Sequence, residues 1–323
     1  MRDLAFVVYP DYSMMALTVV TAFEVANSVT GGSSYELHFV SETGGKIRTS
    51  CGMMVDTEPF TEMPFHTLFV GGTPTATAST PGLIDYVKDA LKRHIRIAAI
   101  STGAFVLAEA GLLDGRNATT HWTHAPQLQA QYPAVKLNQD RIFTSDGPIW
   151  TTAGGAAGLD LSLTLIENDL GAEVAKAVAR ELVIYHRRTG GQSQISTLLE
   201  LAPKSDRIQA ALTYARDNLH KPLTVPELAE AANLSPRQFS RAFQAETGQS
   251  PAKAIEILRV EGARNLMEQS RHPIEVVARQ TGFSDRDQMR RAFVRAFGQP
   301  PQALRRMTRL ATTPFVEAPG VLA

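Results

Sequence analysis

The last third of the chain repeats itself, and this constrains the fold more than any single motif. Leu234-Ser235-Pro236-Arg237-Gln238-Phe239-Ser240-Arg241-Ala242-Phe243 leads into Gly248-Gln249-Ser250-Pro251. About fifty residues later, Gln288-Met289-Arg290-Arg291-Ala292-Phe293 leads into Gly298-Gln299-Pro300-Pro301. Coincidence rarely reproduces spacing and chemistry together. Each copy has the pattern of a helix-turn-helix, and two such units in one small domain point to DNA.

In the first copy, Thr224 is placed to cap a helix through Ala232, and Glu227 three residues on completes a capping box. Asn233-Leu234 makes the turn, Ser235 caps the second helix, and Phe239 and Phe243 face inward. In the second copy Ile274, Val277 and Ala278 form the inward face of the scaffold helix. Thr281-Gly282-Phe283 makes the turn, Ser284 is the expected cap, and Met289 and Phe293 face inward. The step from Ser284 to Met289 is one residue longer than that from Ser235 to Phe239. Ile255, Leu258, Ala263, Leu266 and Met267 recur at helical spacing, giving a connecting helix able to brace both copies.

The formal net charge of +0 hides a division. Residues 203–323 hold 18 Lys and Arg against 12 Asp and Glu, a balance of +6; residues 1–202 hold 14 against 20, a balance of −6. A basic module suited to a polyanion follows an acidic one. The single cysteine, Cys51, excludes an intrachain disulfide and fits a reducing compartment. The apolar run Leu4–Tyr9 is stopped by Pro10-Asp11, so no secretory signal is expected. No stretch approaches the roughly 20 apolar residues of a membrane span. A cytoplasmic protein follows.

Upstream, short runs rich in Val, Ile and Phe alternate with helical patterns. Leu4–Tyr9, Glu36–Val40, Thr67–Val70, Ile95–Ile100, Arg141–Thr144 and Ile149–Thr152 read as strands. Met15–Ser28, Gly82–Arg93, Ala156–Asp169 and Glu173–Arg187 read as helices. The alternation predicts an α/β fold with a doubly wound, largely parallel, flavodoxin-like sheet, followed by an all-α domain with two helix-turn-helix units. The expected boundaries are a domain over 1–190, a linker over 191–204, a DNA-binding domain over 205–310 and a disordered tail over 311–323.

Strand Ile95–Ile100 runs into Ser101-Thr102-Gly103-Ala104, a nucleophilic side chain on a tight strand-to-helix turn with small residues after it. The following helix directs its free N–H groups toward that side chain. Gly71-Gly72-Thr73-Pro74 follows another strand with N–H groups available to an anion, and Thr119-Thr120-His121-Trp122 lies downstream. Ser101 has three readings: a polar helix cap, a hydrogen-bonding wall of a ligand pocket, or a nucleophile with His121 as base. His121 is either a core histidine or a pocket residue, and Trp122 is expected to pack or to present an edge to the ligand. His124, His186, His220 and His272 show no metal-ligand spacing, and neither metal nor cofactor is expected.

From roughly Pro203 to Thr308 the chain resembles the AraC/XylS-family DNA-binding domain. The two units, the segment Arg259-Val260-Glu261-Gly262-Ala263 and the closing Gly298-Gln299-Pro300-Pro301-Gln302-Ala303-Leu304-Arg305 carry the resemblance; Met289 and Leu304 stand where the family usually has aromatics. By position it implies base-reading roles for Arg237, Ser240 and Arg241, then Arg286, Asp287, Gln288 and Arg291, with Arg290 on the same exposed helix. Arg pairs with guanine and Gln with adenine; Asp287 either accepts from cytosine or orients an Arg.

Residues 3–190 resemble the class I glutamine amidotransferase-like (ThiJ/PfpI-like) domain, in the version fused to AraC domains in GlxA-type regulators. The resemblance places Ser101 at a nucleophile position that is usually Cys, Glu24 and His121 near it, and Gly72 and Thr102 as backbone donors beside Gly71. A serine hydroxyl, unlike a thiol, needs a well-placed base. Thr102 replaces the His of active members, and Thr21-Ala22-Phe23-Glu24 replaces a Gly-Pro before the acidic residue. The resemblance implies a non-enzymatic transcriptional regulator. Its partners would be double-stranded DNA, a small-molecule effector such as an amino acid or quaternary amine, RNA polymerase and a second copy of the chain. The rival reading is a Ser101-dependent hydrolase or amidase tethered to DNA.

Overall fold

Leu4, Ala5, Phe6 and Val7 are all buried, because strand β1 (Arg2–Val7) lies in the middle of a sheet covered on both faces. Successive side chains alternate between two cores: Leu4 and Phe6 enter one, Ala5 and Val7 the other. The computed structural model describes all residues except 94, 95, 186, 189, 196–200, 202, 271, 298, 304 and 306–323. The expected tail, Leu304, Gly298, His186 and part of the expected linker lie outside the described residues. The chain divides into two compact units, Met1–Gln194 and Ile195–Leu310. No helix among the described residues is long and apolar enough to cross a membrane.

The first unit is a doubly wound α/β sheet. Beside β1 lie β2 (Tyr35–Ser41), β3 (Gly45–Arg48), β4 (Met54–Pro59), β5 (Thr67–Val70) and β6 (Arg96–Ile100). The short pair β7 (Asn117–Ala118) and β8 (Lys136–Leu137) stands apart. The last strands are β9 (Phe143–Asp146) and β10 (Ile149–Thr152). The order is β3-β4-β2-β1-β5-β6-β10-β9. The pairings from β4 to β10 are parallel, and both edge pairings are antiparallel. Helices α1 (Met14–Thr30), α6 (Ala156–Leu170) and α7 (Ala172–Glu181) cover the Phe6 face. Helices α2 (Pro81–Lys88), α3 (Ala90–Arg93) and α4 (Gly103–Glu109) cover the other, and α5 (Ala125–Gln131) follows. Strand β6 is anchored at its start: Arg96 makes a two-pronged bond to Asp169 (3.1 and 2.8 Å) and donates to Thr67 Oγ1 (2.9 Å).

Four local expectations change, the first being that the helix expected over Gly82–Arg93 is interrupted at Asp89, giving α2 and α3. The helix expected to reach Arg187 stops at Glu181, and Val183 turns left-handed at φ 54. Beyond it the chain folds back onto α6, where the Arg188 backbone N–H and guanidinium both bond Asp160 (2.9 and 2.8 Å). The hairpin β3–β4 was not expected, because only its Ile47 and Val55 pack on the core. The strand expected from Arg141 begins two residues later.

Among the described residues, the regular structure of the second unit is all helix: α8 (Asp206–Asp217), α9 (Val225–Ala231), α10 (Pro236–Thr247), α11 (Pro251–Gln269), α12 (Ile274–Gln280) and α13 (Arg286–Phe297). It has two cores. Phe239 and Phe243 center one and Met289 and Phe293 the other. Helix α11 serves both, with Ala254, Ile255 and Leu258 in the first and Val260, Ala263 and Met267 in the second.

Candidate functional site

The turn after β6 is strained. Ser101 has φ 55, a left-handed conformation that costs a non-glycine residue about 1–3 kcal/mol. Surrounding bonds hold it there. The Ser101 N–H donates to Thr152 O (2.9 Å), and its carbonyl accepts from Thr120 Oγ1 (2.9 Å). Gly103 follows because a Cβ there would lie 2.0 Å from Val70 O. Thr102 is buried and donates to Thr73 O (2.6 Å), while a side chain on Gly72 would strike Thr102 Oγ1 at 1.8 Å. Ser101, Thr102, Gly71 and Gly72 therefore meet at the ends of β5 and β6. Neither the Gly72 nor the Thr102 N–H donates to another group among the described residues.

His121 follows Thr120, whose hydroxyl holds the elbow carbonyl, so it lies beside this cluster. Its Nδ1 faces the Thr123 hydroxyl (2.7 Å) and the Thr123 backbone N–H (3.4 Å). A backbone N–H can only donate, so Nδ1 accepts and the proton of the neutral ring sits on Nε2. Burial, and secondarily His124, hold its pKa below the ordinary histidine range, so the ring is neutral at pH 7. A neutral ring with Nε2–H offers a donor, not a base. Trp122 does not pack as expected; it is 50% exposed beside His121, with ring centroids 5.7 Å apart.

Glu24 is not part of the site. Met15 reaches within 3.4 Å of where a Gly155 side chain would begin, and a side chain on neighbouring Gly154 would lie 2.7 Å from Ser101 Cβ. The first turn of α1 thus approaches the elbow. Glu24 lies nine residues beyond Met15, about 13 Å along the axis and half a revolution round, and it is exposed. Phe23 and Ala26 take the inward positions instead. The sequence reading missed Tyr12. Its hydroxyl is fully buried against Gly71 with no hydrogen-bond partner among the described residues, and burial pushes its pKa far up.

The helix-turn-helix faces are exposed. Arg237 and Arg241 on α10, and Arg286, Asp287, Gln288, Arg290 and Arg291 on α13, all face solvent; Ser240 is half-buried and donates back to Pro236 O (2.9 Å). Ser235 caps α10 with a reciprocal capping box to Gln238. The cap of α13 is Asp285, not Ser284. Its carboxylate accepts from the Gln288 N–H (2.7 Å) and its carbonyl accepts the first helical bond, from Met289 (3.3 Å). Counted from the caps, the two recognition helices have the same spacing, and the extra residue falls in the turn. Gln288 Oε1 accepts from the Ser284 N–H (2.8 Å), so two-pronged pairing with adenine would require giving up that bond. Asp287 lies 4.0 Å from Arg286 Nε, closer to the orienting reading.

The DJ-1/PfpI family profile matches residues 5–168, and a helix-turn-helix domain profile matches residues 228–307. The HTH-type transcriptional regulator GlxA of Rhizobium meliloti is 33% identical over 94% of this chain and 96% of its own length. The chain belongs to this regulator family. A second member, the HTH-type transcriptional regulator CdhR of Pseudomonas aeruginosa, is 31% identical over 99% of this chain and 96% of its own. The crystal structure of an AraC family transcriptional regulator from Pseudomonas putida superposes with a TM-score of 0.51 at 21% identity, covering 56% of this chain and all of the other; that likeness establishes the fold.

For a regulator of this family, the connection between units is of interest, and it too escaped the sequence reading. Residues Gly191–Gln194 lie in the segment expected to be linker, yet they bond to the first unit. Ile142 N–H donates to Gln192 O (3.1 Å), and Gln194 N–H to Asp140 O (3.0 Å). Away from both sites, Asp3, Glu36 and His38 bring possible metal-ligating atoms within 4.8 Å of one another. His38 is already engaged there with Asp3 (3.2 Å) and Glu58 (3.7 Å).

Proposed function

We propose that this regulator binds DNA through α10 and α13, and that its first unit binds a small carboxylate-bearing metabolite at the Ser101 elbow without turning it over. The observation that carries this reading is the ring of His121. With Nδ1 accepting from Thr123 and Nε2 carrying the proton, His121 does not offer Ser101 a base, and a serine hydroxyl without one is a poor nucleophile. The groups that remain are donors: the Ser101 hydroxyl, the free Gly72 and Thr102 N–H groups and His121 Nε2–H. Such donors suit an anion. Recognition of a cationic amine loses its basis with Glu24 turned to solvent.

The arginines of α10 and α13 supply the affinity for double-stranded DNA. A second copy of the chain and RNA polymerase complete the proposed partners, in the cytoplasm. The effector acts only by binding one arrangement of the regulator more tightly than another. Calorimetric titration of the full chain with small carboxylates and amino acids tests the pocket. At least one should bind, and Ser101→Ala should weaken it by about tenfold, the worth of a hydrogen bond to a charged group. Absence of binding at millimolar concentration, or ester hydrolysis that disappears in Ser101→Ala, would overturn the reading.

A further inference from the structure

Gln194 is the last residue of the first unit, and the chain enters the second unit at Ile195. Its side chain is bound to the loop that carries His121. Oε1 accepts from the Trp122 backbone N–H (2.8 Å). Nε2 faces Thr120 O (2.8 Å), Arg141 O (3.0 Å), Gln139 O (3.1 Å) and Thr119 Oγ1 (3.3 Å). The Thr120 hydroxyl in turn bonds the Ser101 carbonyl (2.9 Å). A continuous hydrogen-bonded path therefore runs from the elbow through Thr120 to the residue at which the chain leaves the unit. The exit is held from the other side as well, where Ser193 Oγ donates to Asp140 Oδ2 (2.7 Å).

We propose that Gln194 is a positioning residue that couples the elbow to the DNA-binding unit. The chemistry favours glutamine here. One amide accepts from a backbone N–H and donates to carbonyls of two different loops, which neither a carboxylate nor a hydroxyl can do. A molecule seated against His121 and Trp122 displaces the loop that Gln194 grips, and the exit chain moves with it. Coupling of this kind is reciprocal: engagement of DNA by the second unit must be felt at residues 119–123. The inference rests on the elbow being the sensing site, but its test does not use an elbow ligand.

The test is hydrogen exchange on the full chain, free and bound to DNA that the wild type selects from a random library, in wild type, Gln194→Ala and Gln194→Glu. In both free variants, exchange over residues 119–123 should speed up by about tenfold, as when one hydrogen bond is lost, with β1 and β5 unchanged. In the wild type, DNA should alter exchange over the same residues, and both variants should lose that response. Unchanged exchange in the free variants, no effect of DNA in the wild type, or a DNA response that survives in the variants would each overturn the coupling. If this experiment succeeds while no carboxylate binds the elbow, the coupling stands and the effector reading fails.

Discussion

The two helix-turn-helix units share a frame and differ on the face they present. Both turns place a left-handed residue at the same step, Asn233 at φ 53 and Gly282 at φ 79. Both close the scaffold helix with the same long bond, Leu234 N–H to Ala229 O (2.9 Å) and Phe283 N–H to Ala278 O (2.9 Å). Both bury an aromatic at the same distance from the cap, Phe243 and Phe293. On the outer face Arg241 and Arg291 correspond, and so do Gln238 and Gln288, each of which accepts from a backbone N–H before its helix. Arg237 stands opposite Asp287, and Ser240 opposite Arg290. The positions that build the fold are repeated while the exposed face is repeated only in part, so one copy of the chain should recognise an asymmetric site.

Removing the shared anchors gives the largest expected effects. Phe243→Ala and Phe293→Ala, both at buried positions, should each cost about 3–5 kcal/mol in denaturant unfolding. A cost at one position less than half that at the other would break the equivalence of the frames. The turns come next. Asn233→Ala should cost about 1–2 kcal/mol for the left-handed backbone. Gly282→Ala should cost clearly more, because its Cβ would also lie 1.9 Å from Leu219 O. Equal costs would mean that the second turn relaxes away from Leu219.

The caps give the smallest and most specific effect. Ser235→Ala should cost about 1 kcal/mol at any pH. Bonds from the Gln288 N–H and the Ser284 hydroxyl hold the Asp285 carboxyl below its usual range. Its contribution is therefore complete above the ordinary aspartate pKa, near 4, and fades as pH falls through the lowered value. Asp285→Ala should destabilise at neutral pH and make little difference in strong acid. A penalty independent of pH would restore Ser284 as the cap.

The sequence was most legible where the chain's own periodicity decides structure. Buried runs such as Thr67–Val70 and Ile149–Thr152 match their strands residue for residue, and Phe239, Phe243 and Phe293 fall on the predicted inward faces. The elbow was legible because a strand, a nucleophile and a small residue needed for close approach fall in order. Readings failed where long-range packing decides. The resemblance alone places Glu24 at the elbow, whereas the phase of α1 turns Met15, not Glu24, toward Gly155. Asp285 outcompetes Ser284 because the bond to the Gln288 N–H fixes where the helix begins. Gln194 carries no local signal: its five partners lie 53 to 75 residues away in sequence.

The claim that a repeated frame carries two different reading heads is tested most directly by selecting binding sites from random DNA at fixed salt with wild type, Arg241→Ala and Arg291→Ala. The wild type should yield two unlike sequence elements roughly one helical turn apart. Each substitution should erase base preference in a different element, worth about 1–3 kcal/mol at the base lost. Two identical elements, or a uniform loss of affinity across all sequences in both variants, would contradict it.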